Sequence, residues 1–117
     1  MDISKKMAKI AFEALEDKKG NDIKVLNIEK ITTIADYFII VSGDNVNQVQ
    51  ALADNVQDKL HEAGYDARAI EGYQSANWIL LDYQDIIIHV FNREDRLFYD
   101  IERIWRDGIE TTFENEN

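Results

Sequence analysis

The sequence predicts a single α/β domain with a mixed, five-stranded sheet, and three observations carry that prediction. Residues 77–91, Asn77 to Phe91, form two β-rich apolar runs parted by a short polar break, which is the pattern of a hairpin. Tyr37-Phe38-Ile39-Ile40-Val41 is apolar without alternation, as expected of a strand covered on both faces. Two further segments, one at the N-terminus and one after Val41, space their apolar residues as amphipathic helices do.

Taken in chain order, Ile3, Met7, Ile10, Ala11, Ala14 and Leu15 define the first helix. Asp2 is its expected N-cap, and Gly20 its stop after Lys18-Lys19. Ile23 to Ile28 is a short strand, and Tyr37 to Val41 a second. Ser42-Gly43-Asp44-Asn45 breaks the apolar run and supplies a cap for a helix carrying Val46, Val49, Leu52, Ala53, Val56, Leu60 and Ala63, closed by Gly64. With Tyr65 to Ile70 as the third strand, residues 37–70 have the length of a parallel strand-helix-strand crossover. The hairpin follows, then a last helical pattern capped by Asn92 and carrying Leu97, Phe98, Ile101, Ile104 and Trp105, up to Gly108. Residues 1–108 therefore make one domain, and residues 109–117 are expected to be a mobile acidic tail.

Alternation divides the hairpin into two unlike faces. Ile79, Leu81, Ile86, Ile88 and Val90 are uniformly aliphatic and belong in a core. Trp78, Leu80, Asp82, Asp85, Ile87, His89 and Phe91 mix large apolar with acidic groups, which an interior does not select. A turn centred on Tyr83-Gln84 would set Leu81 opposite Ile86, Ile79 opposite Ile88 and Trp78 opposite His89, with Asp82 facing Asp85.

Composition narrows the function. A chain of 117 residues buries roughly two-thirds of its unfolded surface without staples. The absence of cysteine removes disulfides and thiolate metal sites, so an intracellular, cytoplasmic setting is expected. Met1 to Lys18 holds no unbroken apolar run, hence neither a signal peptide nor a membrane span is read there. Thirteen basic against 23 acidic residues give a net charge of −10, with no basic cluster of the kind that direct nucleic-acid binding needs. Such a protein is attracted to basic surfaces, ribosomal proteins among them.

No residue pattern announces a catalyst. Asp82 and Asp85 as a pair would need a cation or a basic partner, and the sequence offers no third ligand beside them. His89 has one other histidine, His61, on a different element, and reads as a structural or partner-contacting residue. Ser42-Gly43 lacks the glycines and lysine of a phosphate loop. Trp78 is divided between core and interface: its type is well buried on average, yet its neighbours here are Leu80 and two aspartates.

The order of motifs is more specific than any one of them: Ala35-Asp36-Tyr37-Phe38-Ile39-Ile40-Val41-Ser42-Gly43, Ala53-Asp54-Asn55-Val56, Glu71-Gly72, Trp78-Ile79-Leu80-Leu81-Asp82-Tyr83, Asp85 to Phe91, and Arg96 to Trp105. Together they resemble the ribosomal silencing factor family, RsfS, also called Iojap-like proteins, over about residues 2–108. The resemblance implies a domain similar to nucleotidyltransferases but without their catalytic carboxylates, with no cofactor and no metal. It implies a non-enzymatic repressor that binds the large ribosomal subunit through its fourteenth ribosomal protein and blocks joining of the small subunit, and that is often a homodimer when free. Its exposed hairpin motif falls on Trp78, Leu80, Tyr83 and Asp85, with Asp82 beside them. Gln84 stands where the family commonly has glycine, a departure that bears on the turn and on the aim of Asp85. Two alternatives stay open beside this reading, a metal-dependent nucleotidyltransferase-like enzyme and a homodimeric scaffold.

Overall fold

In the computed structural model, which describes residues 3–94 and the backbone of residues 109–110, helix α1 runs Ile3–Asp17 and buries Met7, Ala8, Ala11, Ala14 and Leu15 along one stripe. The stop differs from the expected one. Lys19, at φ +60°, takes the left-handed position, and its N–H donates to the Glu16 carbonyl (2.9 Å) while Gly20 N–H donates to that of Leu15 (2.9 Å). Gly20 is required for a different reason: a Cβ there would lie 2.6 Å from Val41 Cγ2. The proposed N-cap Asp2 lies outside the described residues.

Strands β1 (Asn21–Asn27) and β2 (Tyr37–Gly43) pair antiparallel, and α2 (Val46–Glu62) follows. Its start is well specified. The Asn45 side chain accepts from Gln48 N–H (2.9 Å), Gln48 Oε1 accepts from Asp44 N–H (2.6 Å), and Gln48 Nε2 reaches the Lys19 carbonyl (3.1 Å), tying the end of α1 to the start of α2. Gly64, at φ +95°, ends the helix with Tyr65 N–H bonded to the Leu60 carbonyl (2.8 Å), the closure expected of a glycine stop. Then come β3 (Ala69–Glu71), β4 (Trp78–Asp82), β5 (Ile86–Asn92) and the two-residue β6 (Ile109–Glu110).

The sheet order is β3-β4-β5-β2-β1-β6, with β2 and β5 parallel and the other neighbouring pairs antiparallel. The sheet is mixed, as expected; of the five expected strands the third is shorter and later, Ala69–Glu71 in place of Tyr65–Ile70, and β6 adds a sixth. Two expectations are corrected. The third strand does not lie beside β2: it has the same sense, but the β4–β5 hairpin stands between them, because β5 is the longer and more fully buried partner to β2. Ile109 and Glu110, assigned by sequence to the tail, pair with Asn27 and Leu26 of β1. The last helical pattern, with Leu97, Phe98, Ile101, Ile104 and Trp105, lies outside the described residues, as do residues 111–117.

Every residue of β2 is buried, which explains its lack of alternation. Tyr37, Ile39 and Val41 join the main core under the two helices, with Val49, Leu52, Val56 and Leu60 of α2 above them. Phe38 and Ile40 point the other way, into a second cluster with Leu26, Ile28, Ala35, Ile87 and Phe91. The hairpin divides as its alternation requires: Ile79, Leu81, Ile86, Ile88 and Val90 are all in the main core.

The hairpin register is two residues away from the one expected. Trp78 pairs with Phe91, Ile79 with Val90, Leu80 with His89, Leu81 with Ile88, and Asp82 with Ile87. The loop is Gln84-Asp85, closed by Tyr83 N–H to the Ile86 carbonyl (3.0 Å). This register draws Tyr83 out of the turn and into the core, where it is 6% exposed, and an even shift leaves each residue on its own face. Asp82 and Asp85 therefore do not face each other. Gln84 sits at φ +72°, and Asp85 N–H donates to the Tyr83 carbonyl (2.8 Å) across it, a γ-turn that strains any side-chain-bearing residue. Gln84→Gly should raise the unfolding free energy by about 0.5–1 kcal/mol, the strain relieved exceeding the entropy that glycine adds to the unfolded chain. Urea unfolding of the two proteins checks this, and a destabilised variant would contradict the strain argument.

Candidate functional site

The face of the sheet turned away from α1 and α2 is where the mixed hairpin residues gather, around a buried histidine. His89 stands on β5 across from Ile40 of β2 and Leu80 of β4. Its ring lies 4.9 Å from that of Phe38 and 6.3 Å from that of Phe91, the latter nearly parallel at 12°. Trp78, at the start of β4, stacks on Phe91 at 5.3 Å and 25°, and its indole Nε1–H donates to His89 Nδ1 at 3.0 Å. The expected opposition of Trp78 and His89 thus survives as a diagonal contact, two residues along the ladder. Trp78 and Leu80 are half-buried at the border of this cluster, whereas His89 and Phe91 are inside it.

Since Nδ1 accepts the indole proton, a neutral His89 carries its own proton on Nε2. Nε2 is buried and has no hydrogen-bond partner among the described residues. Burial pushes the His89 pKa down to about 4 from 6.5, so the ring is neutral near pH 7.

The other sequence-selected residues fall in three different settings. Asp82 is already engaged: it bonds Arg68 Nη2 at 2.8 Å and accepts Gln84 N–H at 2.8 Å. Partial burial by itself would raise its pKa, but the Arg68 hydrogen bond, the Gln84 N–H and the Arg68 charge outweigh it and hold the carboxyl below its usual range. Asp85 is exposed at the turn, and its carbonyl receives Asp36 N–H (2.8 Å), which fixes the turn to the start of β2. Tyr83 lies on the helix side of the sheet, away from Trp78, beside a depression of about 370 Å³ lined also by Gln57, Asp58, His61, Asp66, Ala67 and Ile70. Burial and then the Asp66 charge push its hydroxyl up to about 12. Trp78, Leu80 and Asp82 share β4, Asp85 sits in the turn beyond it, and Tyr83 does not join them on one face.

Sequence reasoning missed Phe38 as the ring against His89, because an unbroken apolar strand does not show which side chain faces which layer. It also missed Arg68 as the partner of Asp82. Of the remaining motifs, Ser42 is buried, with its hydroxyl 3.4 Å from the Asn21 carbonyl. Gly43 lies against α2, where a Cβ would come within 3.0 Å of Val49. His61 is exposed and bonds Asp66 at 2.6 Å, and that bond raises its pKa. Among the described residues no helix is long and apolar enough to cross a membrane.

A family model described as "Ribosomal silencing factor during starvation" matches residues 2–117. The chain belongs to this family. It is 40% identical over 104 residues to ribosomal silencing factor RsfS of Bacillus subtilis, covering 89% of this chain and 88% of that protein. It is 46% identical over 99 residues to the RsfS of Chromobacterium violaceum, covering 85% and 81%. A crystal structure of a Chromobacterium violaceum protein superposes with a TM-score of 0.87 at 43% identity, over 97% of this chain and 93% of that one. Membership makes this chain a ribosome-associated regulator of translation, and the family is named for silencing rather than for a reaction.

The buried histidine gives stability a defined pH dependence. His89 titrates near 6.5 when unfolded and near 4 when folded, so between these values the unfolded chain holds more protons. Its contribution is complete above about pH 6.5, falls as pH drops toward 4 and then levels off, a total on the order of 3 kcal/mol. Urea unfolding at pH 7 and pH 4.5 should show wild type losing more stability than His89→Leu over that interval; equal losses would contradict the assignment.

Proposed function

We propose that this chain lowers translation by binding the large ribosomal subunit through its fourteenth ribosomal protein, where it stands in the way of the small subunit. The half-buried Trp78 and Leu80, at the border of the aromatic cluster on a protein of net charge −10, are the observation that carries this reading. An aromatic and an aliphatic group that can be fully desolvated by a partner are the usual anchors of a protein interface. The acidic charge draws the chain to a basic ribosomal protein and speeds the encounter.

Within the hairpin the roles divide. Trp78 and Leu80 are the apolar anchors, and the exposed Asp85 carboxylate meets a basic group of the partner. Asp82, held by Arg68 and Gln84, and Tyr83, held in the core, shape the tip that carries Asp85. No chemical step is needed, because steric exclusion alone prevents subunit joining. The compartment is the cytoplasm, and the free chain forms a homodimer.

Sedimentation with isolated ribosomal subunits tests the proposal. The wild-type chain should travel with the large and not the small subunit, and less so as salt rises. A folded Trp78→Ala chain should bind roughly 30-fold more weakly, as loss of about 2 kcal/mol at a central anchor requires. Wild-type affinity in that variant would overturn the assignment of the docking face.

A further inference from the structure

His89 costs the fold stability in a way that its packing does not require. In the neutral ring Nδ1 receives the Trp78 indole proton, so the donor Nε2–H is left among Phe38, Phe91 and Leu80, with no acceptor among the described residues. A buried donor without a partner is costly, and an aliphatic side chain of similar volume would avoid that cost while filling the same space. What the aliphatic side chain would not provide is the acceptor for Trp78. Trp78 is only partly covered; Phe91 stacks on its face, and the hydrogen bond to His89 Nδ1 at its Nε1 edge restrains rotation of the ring within its own plane.

We infer that His89 is a positioning residue: its Nδ1 holds the Trp78 indole in one orientation before docking, so that the partner does not have to immobilise it. The inference rests on the docking role of Trp78. It assigns to a buried group on β5 a part in affinity that no contact with the partner provides, because ordering an anchor in advance reduces the entropy lost on binding.

Two substitutions separate positioning from packing. His89→Leu removes the acceptor and the unpartnered donor together; it should be at least as stable as wild type at pH 7, yet bind large subunits roughly fivefold more weakly, the effect of leaving one side chain to be ordered on binding. His89→Asn places an amide oxygen near the Nδ1 position; it should be less stable than wild type but bind within about twofold of it. In parallel, the Trp78 indole N–H resonance, assigned by its loss in Trp78→Phe, should move upfield and exchange faster in the Leu variant and stay near its wild-type position in the Asn variant. Should Trp78→Ala weaken binding while His89→Leu binds as wild type, or should His89→Asn bind as weakly as His89→Leu, the positioning role is overturned and the docking reading stands. If Trp78→Ala binds as wild type, both fall.

Discussion

The parallel pairing of β2 with β5 is the contact on which the rest of the structure depends. From Tyr37 opposite Ile86 to Val41 opposite Val90, both members of each pair are buried, on whichever face of the sheet they point. A pair of this kind is stable only if both faces are covered. One face is covered by α1 and α2, whose small residues Ala8, Ala11, Ala14 and Ala53 share the main core with Ile39, Val41, Ile88 and Val90. The opposite face carries Phe38, Ile40, Ile87 and Phe91, which belong to a second cluster.

That second face has a different composition. It buries the back of β2 and β5, and at its border Trp78 and Leu80 are partly exposed. A uniformly aliphatic layer would bury that back equally well. Rings stacked at 5.3 and 6.3 Å provide broad apolar contact while giving Trp78 a platform, and His89 adds a hydrogen-bonding edge within it. His89 Nε2, with no hydrogen-bond partner among the described residues, is a local exception to the rule that buried polar groups are paired.

The hairpin tip holds another local exception. Asp82 uses its carboxylate to receive Gln84 N–H and to hold Arg68, which stabilises a turn that Gln84 does not favour. With Tyr83 anchored in the core and the Asp85 carbonyl bonded to the N–H of Asp36, the tip is held from three directions, and the exposed Asp85 side chain is presented from a fixed base. The strained turn is therefore tolerated because its neighbours over-determine it.

Much of this was legible in the sequence. Helical spacing located both helices, the unbroken Tyr37 to Val41 run announced a strand buried on both faces, and period-two alternation sorted the hairpin into an aliphatic face and a mixed one. Motif order was specific enough to point to the family to which the chain belongs. These are local or one-dimensional properties, set by the geometry of helix and strand. Register, strand order and the partners of Asp82 and His89 are not. A shift of two residues preserves every face, so alternation cannot detect it, and burial of Tyr83 decided it. The place of β3 was decided by competition for β2, which the longer and more fully buried β5 won. The bond between Trp78 and His89 joins residues on two strands, and only the folded ladder brings the indole donor within reach of the imidazole acceptor.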